Sequence, residues 1–106
     1  MKPVLSIVIP ALNEEQAVGL VVRSLPAAID HVVGCDNGST DATAAVAHAA
    51  GAIVVHEPRR GYGAACQRAL ARAAELEPDI VVFVDADHSD HPDDVLHVLT
   101  PVAEGS

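Results

Sequence analysis

Aromatic residues are nearly missing from this chain: Tyr62 and Phe83 are the whole supply, and there is no tryptophan. A surface with so few rings offers no platform for stacking nucleic-acid bases. Positive charge is scarce as well, with six Lys or Arg against fifteen Asp or Glu and a formal net charge of −9. Such a surface repels DNA, RNA and anionic membranes, so no nucleic-acid partner is expected and the acidity serves solubility. Cysteine is limited to Cys35 and Cys66, without CxxC spacing. That excludes a disulfide framework and leaves two reduced thiols as the expectation. No apolar run approaches the ~18 residues of a membrane span. The opening stretch is cut by Pro10, and Asn13-Glu14-Glu15 stand where a leader would carry a small-residue cleavage site, so a cytoplasmic location is expected.

What is present is an apolar half, mostly Ala and Val, in a chain of 106 residues. That length allows one domain with one core, burying roughly 65% of the unfolded surface. The pattern alternates. Strands are expected at Val4 to Ile9, His31 to Cys35, Ala52 to His56 and Ile80 to Val84. Helices are expected at Glu14 to Leu25, Thr40 to Ala50, Tyr62 to Leu76 and Pro92 to about Ala103. Val18, Val21, Val22 and Leu25 form the inward stripe of the first helix, and Ala65, Ala69, Leu70, Ala73 and Leu76 that of the third. Asn13 and Ser39, Thr40 or Asp41 are expected as helix N-caps. The repeating βα order implies an α/β fold with a parallel sheet and helices on both faces.

The polar residues gather in loops at one sheet edge. Asp85-Ala86-Asp87 follows the apolar run Ile80–Val84, placing two carboxylates at the carboxyl end of a buried strand, where open α/β sheets bind ligands. Paired carboxylates without a nearby Lys or Arg favour a hard cation such as Mg²⁺ or Mn²⁺, which usually also holds substrate phosphates. Asp36 and its neighbours follow the second strand. Arg59-Arg60-Gly61-Tyr62-Gly63 opens the third helix, where Arg60, Gly61 and Gly63 suit a phosphate through a cation and free N–H groups; a solvated basic turn is the competing reading. No Walker loop is present and no Gly-rich turn follows the first strand, so a dinucleotide Rossmann site is disfavoured. An EF-hand fails because Asp90 and Leu96 stand where Gly and Glu are needed. His88 and His91 read as loop residues, though a zinc site of His/Asp type stays open. A receiver-like domain fails too: the third strand runs into His56-Glu57-Pro58 and the only lysine is Lys2.

These segments together resemble the family-2 glycosyltransferases of GT-A fold. Ser6 to Glu14 is similar to the family's "VIPxxNE" opening, Asp36-Asn37-Gly38-Ser39-Thr40-Asp41 to "DDGSTD", Gly61-Tyr62-Gly63-Ala64-Ala65 to "GKGAA", and Asp85-Ala86-Asp87 to DxD. His91-Pro92-Asp93-Asp94 resembles the "HPPED" that often follows. In style the last segment is nearest to polyprenyl-phosphate sugar transferases. The resemblance implies a Rossmann-like GT-A half-domain over residues 1–106, its roughly four strands in the order 3-2-1-4. It implies a UDP- or GDP-linked sugar donor, with Pro10, Asn13, Glu14, Asp36 and Asp85 around the nucleotide. Asp87 and Asp85 would hold Mg²⁺ or Mn²⁺ on the diphosphate, for inverting transfer to an acceptor. Asn37 and Tyr62 depart from the family's Asp and Lys. The family's catalytic domains are about twice this long, so the acceptor site and general base are assigned to no residue here. A homodimer or a further C-terminal segment, which could also reach the inner membrane face, is the expected complement. The alternative is a non-catalytic nucleotide-sugar or metal-binding module that works with a partner chain.

Overall fold

The computed structural model describes residues 3–86 and the backbone of residues 97–98. Four parallel strands carry the fold: β1 (Leu5–Ala11), β2 (His31–Asp36), β3 (Ile53–His56) and β4 (Ile80–Phe83). Between them run α1 (Val18–Arg23), α2 (Thr43–Ala49) and α3 (Tyr62–Ala74). The sheet order is β3-β2-β1-β4-β5, so the expected 3-2-1-4 core is present. The fifth strand, β5 (His97–Val98), pairs antiparallel with Val82 and Phe83. It corrects the helix expected from Pro92 to Ala103 at these two residues. The physical reason is the open edge of β4, whose unpaired backbone groups accept a further strand. The rest of that span lies outside the described residues. Among the described residues no helix is long and apolar enough to cross a membrane.

The period-2 alternation of strands sorts the core. Ile7, Ile9 and Ala11 of β1 face a cluster with Val18, Val21 and Val22 of α1 and Ala47 of α2. Val8, one residue out of phase, joins Val33, Cys35 and Val81 beneath Ala65, Ala69 and Ala73 of α3. Helices therefore cover both faces, and both expected helix stripes turn inward. The small residues matter: a Cβ on Gly19 would meet Val46 Cγ1 at 3.0 Å, so a larger side chain there would require Val46 to shift where α1 meets α2.

At the amino edge of the sheet two carboxylates act as plugs. Val4 N–H donates to Asp79 Oδ2 (2.7 Å) and Leu5 N–H to Asp30 Oδ2 (2.8 Å). At the carboxyl edge the pairing of β1 with β4 ends at Val8 and Phe83. Pro10 follows in phase with Val8, so its missing N–H costs no ladder bond. The two strands part there, at the point where the strand order reverses, and leave a crevice.

Candidate functional site

The crevice is a cavity of about 460 Å³, within the size range of small-molecule sites. Pro10, Ala11, Leu12 and Glu14 form the wall from β1 and its loop, and Asp85 and Ala86 the wall beyond β4. Asn37 closes the β2 side, and Arg60, Gly61, Tyr62 and Ala65 form the wall from the start of α3. Five of the expected site residues, Pro10, Glu14, Arg60, Gly61 and Asp85, thus come together. Asn13, Asp36 and Gly63 do not line the cavity, and Asp87 lies outside the described residues, as do His88 and His91.

Asn13 and Asp36 are occupied elsewhere. Asn13 sits in the left-handed region (φ 53°), which asparagine tolerates. Its N–H donates to Ser39 Oγ (2.8 Å), and its Oδ1 accepts from Thr40 N–H (2.9 Å). The expected N-cap role is therefore absent: Ala17 precedes α1 without a side-chain bond. Glu14 N–H donates to Thr43 Oγ1 (2.8 Å), and Ala42 N–H to Glu15 Oε1 (2.8 Å), so the two loops are stitched and α1 starts later than expected. The N-cap position of α2 is Ala42, which makes no side-chain cap bond, so none of Ser39, Thr40 and Asp41 is the N-cap. Asp41, one residue further out, accepts from Thr43 N–H (2.9 Å) and its hydroxyl and serves the helix start from there. Asp36 Oδ1 accepts from Ser39 N–H (3.2 Å) while Oδ2 lies 3.4 Å from His56 Nδ1.

The two arginines of the α3 entry divide their work. Arg59 donates from its backbone N–H (2.8 Å) and Nε (3.1 Å) to Glu57 Oε2. It is a strut, and only Arg60 lines the cavity. The Arg59 side-chain bond holds the Glu57 carboxyl below its ordinary 4.5, and the Thr43 hydroxyl holds Asp41 below 3.8. A carboxylate lowered in the folded state stabilises above its unfolded pKa, and that stability is lost as pH falls through the folded value. Thermal melts should therefore decline progressively below about pH 4.5. A melting temperature flat from pH 5 to pH 3 would contradict this.

Gly61 precedes α3 at φ 123° and ψ 143°, a conformation nearly reserved for glycine. Space is no obstacle, since nothing stands within 4 Å of an added Cβ. Gly61→Ala should cost about 1–3 kcal/mol from backbone strain alone. A lowered urea midpoint would register it; an unchanged one would show that the turn has another conformation to use.

Two features were not read from the sequence as site residues. Tyr62 and Leu12 are both substantially exposed on the cavity rim. The Tyr62 hydroxyl reaches Asp85 Oδ1 at 3.5 Å, at the limit of a hydrogen bond. Burial, then the neighbouring Cys66 and Asp85, push the phenol up to about 12. Burial likewise raises the free thiol of Cys66, and Cys35 goes up to about 11. Neutral thiols and a neutral phenol make no covalent nucleophile at pH 7. The cue for Tyr62 in the sequence was that one of only two aromatics stands at the opening of a helix.

As a metal site, Asp85 offers hard oxygen donors and enters none of the ion pairs among the described residues. No group of three or more His, Cys, Asp or Glu is placed to hold a metal among those residues. A single carboxylate suits Mg²⁺ or Mn²⁺ when substrate phosphates complete the shell.

The family model described as Glycosyl transferase family 2 matches residues 6–106. An uncharacterized glycosyltransferase of Mycobacterium tuberculosis (strain ATCC 25618 / H37Rv) is 39% identical over 101 residues, which is 95% of this chain and 44% of the relative. Glucosyl-3-phosphoglycerate synthase of Mycolicibacterium smegmatis is 42% identical over 94 residues, 77% of this chain and 30% of the relative. The crystal structure of glucosyl-3-phosphoglycerate synthase from Mycobacterium tuberculosis with Mn²⁺, uridine diphosphate and glucosyl-3-phosphoglycerate superposes with a TM-score of 0.70 at 38% identity. That match covers 80% of this chain and 34% of the other. The same enzyme has been crystallised with Mg²⁺ and uridine diphosphate. This chain spans less than half the length of these relatives. The likeness to polyprenyl-phosphate transferases remains one of motif style. With four motifs in order, the sheet topology and a family match over nearly the whole length, the chain belongs to glycosyl transferase family 2.

Proposed function

We propose that this chain is the donor-binding half of a glycosyltransferase and takes a nucleotide-diphospho-sugar with a uridine base. The observation that carries the reading is the division of the cavity walls. A carboxylate, Asp85, stands just past the end of β4, and the same cavity is lined by Arg60 and the uncapped start of α3, which offer a cation and N–H groups. One wall suits a metal ion and the other a phosphate. Uridine is preferred over guanosine because the solved relatives hold uridine diphosphate.

Asp85, with Asp87 two residues on, would hold Mg²⁺ or Mn²⁺. When bound, the cation neutralises charge developing on the leaving nucleoside diphosphate. Arg60 adds a second positive contact, and the Tyr62 hydroxyl orients the Asp85 carboxylate. Pro10, Leu12 and Glu14 present the wall for the nucleoside. Asn13 and Asp36 act on the site by fixing the loops that carry it. No residue of the chain is assigned as general base, and the cytoplasm is the location this donor chemistry suits.

Calorimetric titration with UDP, GDP and their sugar conjugates, with and without Mn²⁺, tests the reading. Metal-dependent binding of UDP is expected; no binding of any nucleotide would overturn it. Inversion at the anomeric carbon belongs to the same proposal. It is checked by the anomeric proton coupling of the product formed by an active enzyme containing this half; retained configuration would remove that part alone.

A further inference from the structure

Asn37 departs from the family pattern, and its side chain has an unusual load. Nδ2–H donates to Glu57 O (2.9 Å) and to Arg59 O (2.7 Å), while Oδ1 accepts from Gly61 N–H (3.2 Å). The residue is only 5% exposed, yet it borders the cavity. Its own N–H donates to Ala11 O (2.9 Å), so the clamp is anchored to the central strand β1. The turn it clamps contains Arg60 and sets the direction of α3.

We propose that Asn37 is a positioning residue: its carboxamide fixes the turn from Glu57 to Gly61 so that Arg60 and the first N–H groups of α3 face a bound diphosphate. This inference rests on the donor-site reading above. The chemistry requires an amide. The two carbonyls need donors and the Gly61 N–H needs an acceptor, and only Asn has both within this reach. A carboxylate at this place would leave two carbonyl oxygens, one buried and one part-buried, facing a like charge. Both Nδ2 hydrogens and one lone pair of Oδ1 are spent on the turn, so the turn is the main route by which Asn37 bears on the ligand.

The test compares UDP with uridine, each titrated with Mn²⁺ into wild type and Asn37→Ala, and followed by calorimetry. Loss of fold lowers the affinity for both ligands alike, whereas loss of positioning weakens only the ligand that carries the diphosphate. The expected result is UDP binding about tenfold weaker with uridine unchanged, the equivalent of one net hydrogen bond. Should Asn37→Ala not fold, Asn37→Ser, whose hydroxyl can serve one carbonyl, replaces it with a smaller selective loss expected. Equal weakening of both ligands, or UDP binding undiminished in a folded variant, would overturn the positioning role alone. Absence of UDP binding by wild type would overturn the donor-site reading and this inference with it.

Discussion

Asp85→Ala should abolish the metal dependence of UDP binding and, in the same protein, slightly improve binding without metal. The two effects have opposite sign because Asp85 has opposite relations to the cation and to the diphosphate. In the proposed site the Asp85 carboxylate, with Asp87, would hold the ion when Mn²⁺ is present. Changes to mere outer partners of a metal site cost about 10–100-fold, so loss of a ligand should cost at least about a hundredfold in metal-dependent affinity. Without metal, the same carboxylate faces a polyanion across the cavity shared with Arg60. Removing it lifts a repulsion, and a gain of roughly twofold is a reasonable scale for a partly solvated charge pair. Calorimetry at one ionic strength, with and without Mn²⁺, reads both numbers. If Mn²⁺ enhances UDP binding as strongly in the variant as in wild type, Asp85 is not a metal ligand, and the role passes to Asp87.

Ile9→Ala should be the most damaging single truncation for stability. Ile9 is fully buried in β1, the strand flanked by β2 and β4, and packs with Val18, Val21 and Ala47 in the core beneath α1 and α2. Loss of a buried isoleucine to alanine costs about 2–5 kcal/mol, since the removed methyl groups leave a space the sheet cannot close. Against a total stability of roughly 5–15 kcal/mol for a domain this size, a third or more would go. Urea unfolding should show a lowered midpoint with unchanged slope. The crevice should suffer with it, because Pro10 and Ala11 continue directly from this residue. A midpoint close to wild type would mean that the sheet is not the stability core described here.

The sequence by itself determined the strand–helix alternation, the two buried faces and the edge where chemistry gathers. These are local properties. Runs such as Ile80–Val84 declare burial on both faces, the spacing Val18, Val21, Val22 declares a helix stripe, and carboxylates directly after an apolar strand have no structural need to be there. The tertiary structure decided how the polar residues of those loops divide between holding the fold and facing a ligand. Asn13, read as a cap and a nucleotide contact, is spent on Ser39 and Thr40, 26 and 27 residues away. Asn37, read only as a departure from a motif, proves to clamp a turn 20 to 24 residues on. Arg59 and Arg60 are neighbours of one type, yet one is a strut and the other lines the cavity. Hydrogen bonds between loops depend on the register in which parallel strands place their ends side by side. No window of sequence contains that register, so the motifs located the site while only the packed sheet assigned its atoms.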